Sequence, residues 1–318
     1  MDVISIGCPS IPGWAMAKSS PSGNTHHVKR LLSLLLSAWL VTACASVPLG
    51  VSTRTLRSGA PDAEAAACHP VAPDHVVSST DAGRAESLDP AEINLLIWNT
   101  HKGQDSGWLK ALAELSVDQD LLVLQEAFLE AELRDFLLSK ALSWDLATTF
   151  KRFRIETGVL TASPVAPASA CVQRTMEPLL SLPKSTLISR FPLEGSTETL
   201  LVGNIHAVNF TLGTTAFQSQ LERLALMLDE HDGPVIVAGD FNNWSQSRSE
   251  VLEEVLVETR MMRKVTFDEK NPKVILGHTV DHVYYRGLTV LASRVLESDA
   301  SDHDPIWVRF AHSGERAP

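Results

Sequence analysis

The sequence predicts an α/β (α+β) fold over residues 92–311. Two observations carry this. From Ile93 onward, short apolar runs of strand length alternate with apolar stripes at helical spacing. Several of the apolar runs also stop at a carboxylate, an amide or an imidazole, which is how a sheet core presents polar chemistry at one rim. The chain has 318 residues and is 44% hydrophobic, enough for one large or two small domains with a sizeable core.

Ile93–Trp98 reads as the first strand. Trp108, Leu109, Leu112 and Leu115 lie at helical spacing, and Leu121–Leu124 is a short, fully apolar strand expected at a sheet centre. Leu133, Phe136 and Leu137 indicate a second helix. Ile155–Leu160 and Ser185–Ile188 read as strands. The Pro-rich interval between them, Ala162 to Pro183, is expected as an irregular loop or a hairpin. Leu200–Ile205 is another buried strand. Phe217, Leu221, Leu224, Ala225 and Leu228 form a helical stripe, which His231-Asp232-Gly233-Pro234 ends. Val235–Ala238, Val280–Tyr285, Thr289–Val295 and Ile306–Phe310 complete the set. No internal repeat is evident.

Formal net charge is −11, which argues against the basic face that nonspecific nucleic-acid binding normally needs. Lys151-Arg152-Phe153-Arg154 is the dense basic cluster of the domain. It reads either as a solvated loop or as a contact to a phosphate or lipid headgroup.

Residues 1–43 read as a signal sequence. Lys29-Arg30 precedes an apolar stretch, Leu31 to Leu40, too short to span a bilayer. It runs into Val41-Thr42-Ala43-Cys44, which resembles the bacterial lipobox, with Cys44 as the lipidated residue. An ordinary secretory signal with an incidental Cys44 is the alternative. Starting at Met16 would give a more usual signal length, so residues 1–15 are expected to lie upstream of the true start. Residues 44–91, rich in Ala, Ser, Pro and Asp, are expected as a flexible tether, and 312–318 as a tail. These features predict export to the periplasmic side of a bacterial membrane, with lipid anchoring and outer-membrane sorting favoured by Ala45. Of the four cysteines, Cys68 and Cys171 remain after the leader; in an oxidising compartment they either pair or persist as two thiols.

The chemistry gathers at the strand ends. Ile97-Trp98-Asn99 closes the first run, Leu124-Gln125-Glu126 the second, and Val237-Ala238-Gly239-Asp240-Phe241-Asn242 a later one; Ser301-Asp302-His303 precedes the last strand. Glu126 and Asp302 suit a hard divalent cation with oxygen ligands, Mg²⁺ or Mn²⁺. Asp240 with His303 suits proton transfer. Asp240 and Asn242 are two apart, so extended geometry would face them the same way. A tight turn stabilised by the Asp and Asn side chains is the structural alternative.

These residues resemble the endonuclease/exonuclease/phosphatase superfamily, whose members include DNase I-like nucleases, abasic-site endonucleases, neutral sphingomyelinases and inositol polyphosphate 5-phosphatases. The resemblance runs from Glu92 to Phe310 through Asn99, Gln125-Glu126, Thr157-Gly158-Val159, Asn204-Ile205-His206, Gly239-Asp240-Phe241-Asn242, Asp281 and Ser301-Asp302-His303, in the superfamily's order. Trp98-Asn99, Asn204 to Phe210 and Tyr285-Arg286-Gly287-Leu288 look closest to a bacterial branch, the YafD-like proteins, which brings no assigned substrate with it.

The resemblance implies a four-layer α-β-β-α sandwich of two packed mixed sheets, DNase I-like, with the site at one end. It implies metal ligands Glu126, Asn99 and Asp302, and catalytic residues Asp240, His303, His206, Asn242 and Asp281. In that set Asp281 orients His303, while His206 and Asn242 contact phosphoryl oxygens. Asn209 and Lys184 are weaker candidates for phosphate contacts. His101 stands where several nucleases of the superfamily place an acidic residue, which puts a second metal in doubt. No tyrosine occupies the region of the abasic-site enzymes' active-site Tyr, so abasic-site repair is not expected.

The expected function is hydrolysis of phosphodiester bonds with a divalent metal, the substrate being a nucleic acid or a lipid headgroup. The membrane is expected as a partner through the anchor, and no protein partner is expected. The alternative is a non-catalytic metal- or phosphate-binding lipoprotein on the same fold.

Overall fold

A computed structural model describes residues 45–46, 55–58, 68, 85–152, 154–179, 182–268 and 270–312. Cys44 and the expected signal sequence lie outside these residues. Chain order gives β1 (Ala45–Ser46), β2 (Thr55–Arg57), β3 (Ile93–Asn99), α1 (Trp108–Leu115), β4 (Leu121–Phe128), α2 (Ala131–Ser139), β5 (Ser143–Arg152) and β6 (Ile155–Ser163). It continues with β7 (Ser169–Met176), β8 (Pro183–Pro192), β9 (Thr199–His206), α3 (Thr215–Asp229), β10 (Val235–Asp240) and α4 (Gln246–Leu252), which runs into a π-helical segment, Glu253–Glu258. Then come β11 (Arg263–Lys264), β12 (Val274–Ile275), β13 (His278–Thr279), β14 (Asp281–Arg286), β15 (Thr289–Val295) and β16 (Ile306–Ala311).

One sheet runs β1-β5-β6-β4-β3-β16-β15, with β2 also on β5; the other runs β11-β14-β10-β9-β8-β7. Both are mixed: β3 pairs parallel with β4, and β9 parallel with β10, among antiparallel neighbours. Alternation along each strand divides the core into layers. In β3, Leu95 and Ile97 join Leu121 and Val123 of β4 against Leu200, Val202, Ile236 and Ala238 of the opposing sheet. Leu96 and Trp98 point the other way, onto Trp108, Leu112, Leu133 and Leu137 of α1 and α2. On the second sheet, Val235 and Val237 meet Phe217, Leu221, Leu224 and Leu228 of α3. The result is the four-layer α-β-β-α sandwich. Strands buried on both faces explain why their sequences read as continuous apolar runs rather than as alternation.

The elements extend further than their apolar runs. β4 continues through Gln125 and Glu126 to Phe128. The Pro-rich interval contains β7, whose pairing with β8 makes it the hairpin of the two alternatives. β5 was not expected. Only Leu146 and Ala147 among its buried positions are aliphatic, the others being Ser143, Asp145, Thr148 and Thr149, so it carries no continuous apolar run although it is largely buried. The basic cluster falls at the β5–β6 connection, where Lys151 pairs with Glu156 at 2.7 Å.

The expected domain boundaries shift at both ends. Leu88 is buried and bridges to Leu193, so the folded domain includes residues before 92. Within the interval expected as a tether, β1 and β2 lie on β5, Arg57 pairs with Asp145 at 2.8 Å, and Cys68 is disulfide-bonded to Cys171 of β7. The open backbone edge of β5 and a buried carboxylate supply the reason for this docking. His312, first residue of the expected tail, is held between Gly287 O (2.8 Å) and Glu198 Oε2 (3.1 Å). Among the described residues, no helix is long and apolar enough to cross a membrane.

Near the rim, buried amides cross the apolar layer between the sheets. Gln125 Nε2 donates to Asn204 Oδ1 at 2.8 Å, and Asn204 Nδ2 donates to Leu160 O at 2.9 Å and to Leu124 O at 3.3 Å. Both amides are fully buried. Asn204→Ala should therefore destabilise the domain by at least about 2 kcal/mol in denaturant unfolding, because the buried partners lose their donor and acceptor. A loss below about 0.5 kcal/mol would show that this bridge does not hold the sheets together.

Candidate active site

Parallel pairing sends the C-terminal ends of β3, β4, β9 and β10 to one rim of the sandwich. Asp240, last residue of β10, stands opposite Asp281, first residue of the antiparallel β14. The Ser301–His303 loop is stapled to the end of β3. Trp98 Nε1 donates to His303 O at 2.9 Å, the Ser301 hydroxyl donates to Asn99 O at 2.6 Å, and His303 N donates back to that hydroxyl at 3.2 Å.

Asp240 is buried and held on both oxygens. Asn99 Nδ2 donates to Oδ2 at 3.1 Å, and the Asn242 backbone N–H donates to Oδ1 at 2.9 Å. The preceding Gly239 is required for this approach. Its φ is +139°, and a Cβ there would lie 2.1 Å from Ile205 O. Asn242 corrects the extended-spacing expectation: β10 has ended, Asn242 has φ +49°, and its side-chain amide donates to Ala207 O at 3.1 Å. The pair thus forms the turn alternative, with Asn242 bracing Asp240 through its main chain. Buried Arg248 fixes this turn from below by donating to Asn242 O at 2.7 Å and Val208 O at 2.8 Å, with its guanidinium over the Phe217 ring.

His303 Nδ1 lies 2.6 Å from Asp281 Oδ2, both groups buried. Burial alone would lower the imidazole's pKa, but the Asp281 carboxylate and its hydrogen bond, aided by Asp240, raise it to about 9. Burial, followed by the nearby Asp281 charge, pushes Asp240 up to about 6. Ligand atoms of Asp240, Asp281 and His303 all lie within 4.8 Å of one another.

Glu126 sits where the β4–β6 register slips, at a bulge, and has φ +51°. Such a bulge re-aims a side chain out of the strand's alternation. Here the carboxylate forms an ion pair with Lys102 and comes within 4.0 Å of His206 Nε2. Burial opposes its charge, but Lys102, His206 and Lys184 outweigh burial and hold it well below the usual carboxylate range. Lys184 Nζ is 2.7 Å from His206 Nε2, which is 3.5 Å from Asp240 Oδ2. Burial, then the Lys184 charge, keeps His206 neutral, so this nitrogen accepts a hydrogen bond from the lysine.

The expected residues are therefore placed in two groups at one rim. Asn99, Asp240, His206, Glu126 and Lys184 form a connected chain of contacts, and Asp281 with His303 adjoins it through Asp240. Asp302 is half-exposed, with His101 Nδ1 3.8 Å from its Oδ1. Asn209 Oδ1 is held by Trp244 Nε1 at 2.8 Å, and its backbone N–H by Glu177 at 2.5 Å. The site reasoning from sequence missed Lys102, Trp244 and Arg248. A lysine three residues after Asn99 was visible, but nothing in its flanks announced an ion pair.

Two donor sets at this rim suit a divalent cation. Glu126, Asp302 and the Asn99 carbonyl oxygen are the oxygen-only set that Mg²⁺ prefers. Asp240, Asp281 and His303 converge more closely, and Asp281 Oδ1 is buried without a hydrogen-bond partner. In that second set Asp240 is engaged by Asn99 and Asn242, and His303 by Asp281, while in the first set Glu126 is engaged by Lys102 and Asn99 Oδ1 by the His101 N–H.

The fold and this rim define the class, and sequence comparison agrees. The profile of the Endonuclease/Exonuclease/phosphatase family matches residues 96–303. The chain belongs to that family, and membership supports a phosphoester hydrolase. A "UPF0294 protein" of Vibrio campbellii is 41% identical over 220 residues, covering 69% of this chain and 77% of the relative. A Vibrio cholerae UPF0294 protein is 42% identical over 231 residues, covering 71% and 81%. These are the YafD-like relatives. Among solved structures, the human Nocturnin catalytic domain with bound sulfate anion superposes with a TM-score of 0.54 at 17% identity, over 71% of this chain and 96% of that one. A Bacteroides thetaiotaomicron mannosyl-6-phosphatase gives 0.53 at 14% identity, over 69% and 99%. At these identities the likeness concerns the fold.

The raised His303 pKa fixes a direction for pH dependence. Its folded value lies above the ordinary 6.5, so the Asp281–His303 pair stabilises fully below pH 6.5 and loses that contribution as pH rises through 9. In chelator-treated protein, the stability difference between wild type and Asp281→Asn should shrink over that window. The His303 ring resonances should titrate at least one unit lower in the variant by NMR. Identical titration in both proteins would remove Asp281 as the imidazole's partner.

Proposed function

We propose that the protein is a divalent-metal-dependent phosphodiesterase, acting on a nucleic acid or a phospholipid-type headgroup. The observation that carries this reading is the convergence of Asp240, raised to about 6, with the His303 imidazole, which its hydrogen bond to Asp281 helps raise to about 9. At neutral pH one group is poised to accept a proton and the other to give one up. Water attacks phosphorus and loses its proton to Asp240, while the P–O bond to the leaving group breaks. The leaving oxygen takes a proton from the His303 imidazolium, whose charge Asp281 balances. Asn99 and the Asn242 main chain keep Asp240 in place. Lys184 and His206 line the same rim and supply positive charge and a hydrogen-bonding imidazole for phosphoryl oxygens. A Mg²⁺ or Mn²⁺ ion held by Glu126, Asp302 and Asn99 would neutralise charge on the phosphoryl group.

Export and lipid anchoring through Cys44 belong to the same reading. The Cys68–Cys171 disulfide supports it, because such bonds persist in oxidising compartments. An anchored enzyme would meet its substrate at the outer or periplasmic surface rather than in the cytosol.

With bis-p-nitrophenyl phosphate and Mg²⁺ or Mn²⁺, the purified chain should show turnover that EDTA abolishes. Its pH profile should be bell-shaped, with limbs near 6 and near 9. Asp240→Asn and His303→Ala should each lower kcat about 10²- to 10⁴-fold, with the fold retained by circular dichroism at the assay temperature, although His303→Ala also forfeits the stability of its pair with Asp281. Normal activity in either variant would sink the assignment of roles.

A further inference from the structure

Glu126 presents a partly buried carboxylate at the rim, and the group it meets there is a cation of the same chain. Lys102 lies in the short 3₁₀ turn after β3, with φ +58°, and its ammonium is ion-paired to Glu126 Oε2. Both side chains are only about one-fifth exposed. The turn is anchored from both strands: Thr100 N donates to Gln125 O at 3.0 Å, and His101 N donates to Asn99 Oδ1 at 3.1 Å. The same Asn99 oxygen and the same Glu126 carboxylate are those that suit a divalent cation. The lysine and the ion thus claim one carboxylate, and in a partly dehydrated site two cations on it repel strongly.

We propose that Lys102 is a resident counter-ion that competes with the divalent cation for Glu126, so that loading the site is an exchange of one ammonium for one metal ion. This rests on the metal-dependent reading of the rim. Several consequences follow from the charges. The Lys102 ammonium neutralises the partly buried carboxylate from within the chain, so the fold does not depend on an ion to balance it. Loading changes the local charge by one unit, not two, because the lysine departs as the ion arrives. Affinity for the ion is correspondingly weak, and the site fills only where divalent cations are abundant. Lys184 stays on His206 and does not take Lys102's place, since its own contact is to the imidazole.

The test is Mn²⁺ binding to the full chain by calorimetry and by paramagnetic resonance of free ion. Lys102→Met keeps the stem length and, like lysine, a side chain at the same positive φ, but removes the charge. It should bind Mn²⁺ at least tenfold more tightly than wild type. Adding Glu126→Gln should erase that gain. Wild-type protein gives an independent reading without any variant. Mg²⁺ should raise the acetylation rate of Lys102 several-fold relative to the exposed Lys110, as its ion pair opens. Equal or weaker Mn²⁺ affinity in Lys102→Met, or a Lys102 reactivity unmoved by Mg²⁺, would overturn the exchange. Turnover of bis-p-nitrophenyl phosphate by the same wild-type samples separates this failure from failure of the phosphodiesterase reading.

Discussion

A pair of primary amides, Gln125 and Asn204, is the constraint on which the rim depends. Two sheets packed only through aliphatic side chains can slide and rotate with little penalty, because the hydrophobic effect is non-directional. The Gln125–Asn204 hydrogen bond, with the Asn204 amide also on Leu124 and Leu160 carbonyls, sets the sheets at one relative offset. A buried network of this kind has directional geometry and a high cost if half-satisfied. The next residue outward on β4 is Glu126, and two outward on β9 is His206. The registration of the apolar interior is thereby handed directly to the polar groups of the rim. Asn99 to Asp240 is the second tie between the sheets, one layer closer to solvent.

Electrostatics at the rim are organised as neighbouring pairs of unlike character. Asp240 and Asp281 face each other in register, and two such buried carboxylates would repel. The His303 imidazole beside Asp281 relieves this by carrying the compensating charge, while burial and the Asp281 charge make Asp240 a stronger base than an ordinary carboxylate. On the other flank, two lysines face a carboxylate and an imidazole. Removing any one charge therefore shifts its neighbours as well, and single substitutions here report on a coupled set.

Much of the architecture was legible because strands buried on both faces write themselves as apolar runs, and because each run ended in a polar residue. β5 escaped since its buried positions mix Leu146 and Ala147 with Ser143, Asp145, Thr148 and Thr149, which gives no apolar run, and β7 because prolines flank it. Within the site, Asp281–His303 and the clustering of Asp240, His206 and Glu126 followed from the resemblance. Asn242 did not behave as its spacing implied, since the strand stops at Asp240 and the chain turns through a left-handed conformation that sequence does not announce. Lys102 and Arg248 were invisible for a common reason. Each acts through a long side chain that reaches a partner far away in sequence, and periodicity carries no information about such reach.

The order in which the site's parts leave the ribosome has its own meaning. Asn99 lies in the first strand of the main domain, whereas His303 arrives just before the last, and β16 inserts between β3 and β15 rather than adding at an edge. A growing or truncated chain lacking that strand has a gap beside β3 and neither the imidazole nor the staple through Trp98. The rim is therefore assembled only once the last strand is in place between β3 and β15. Strand order itself thus makes the rim the last part of the domain to be completed.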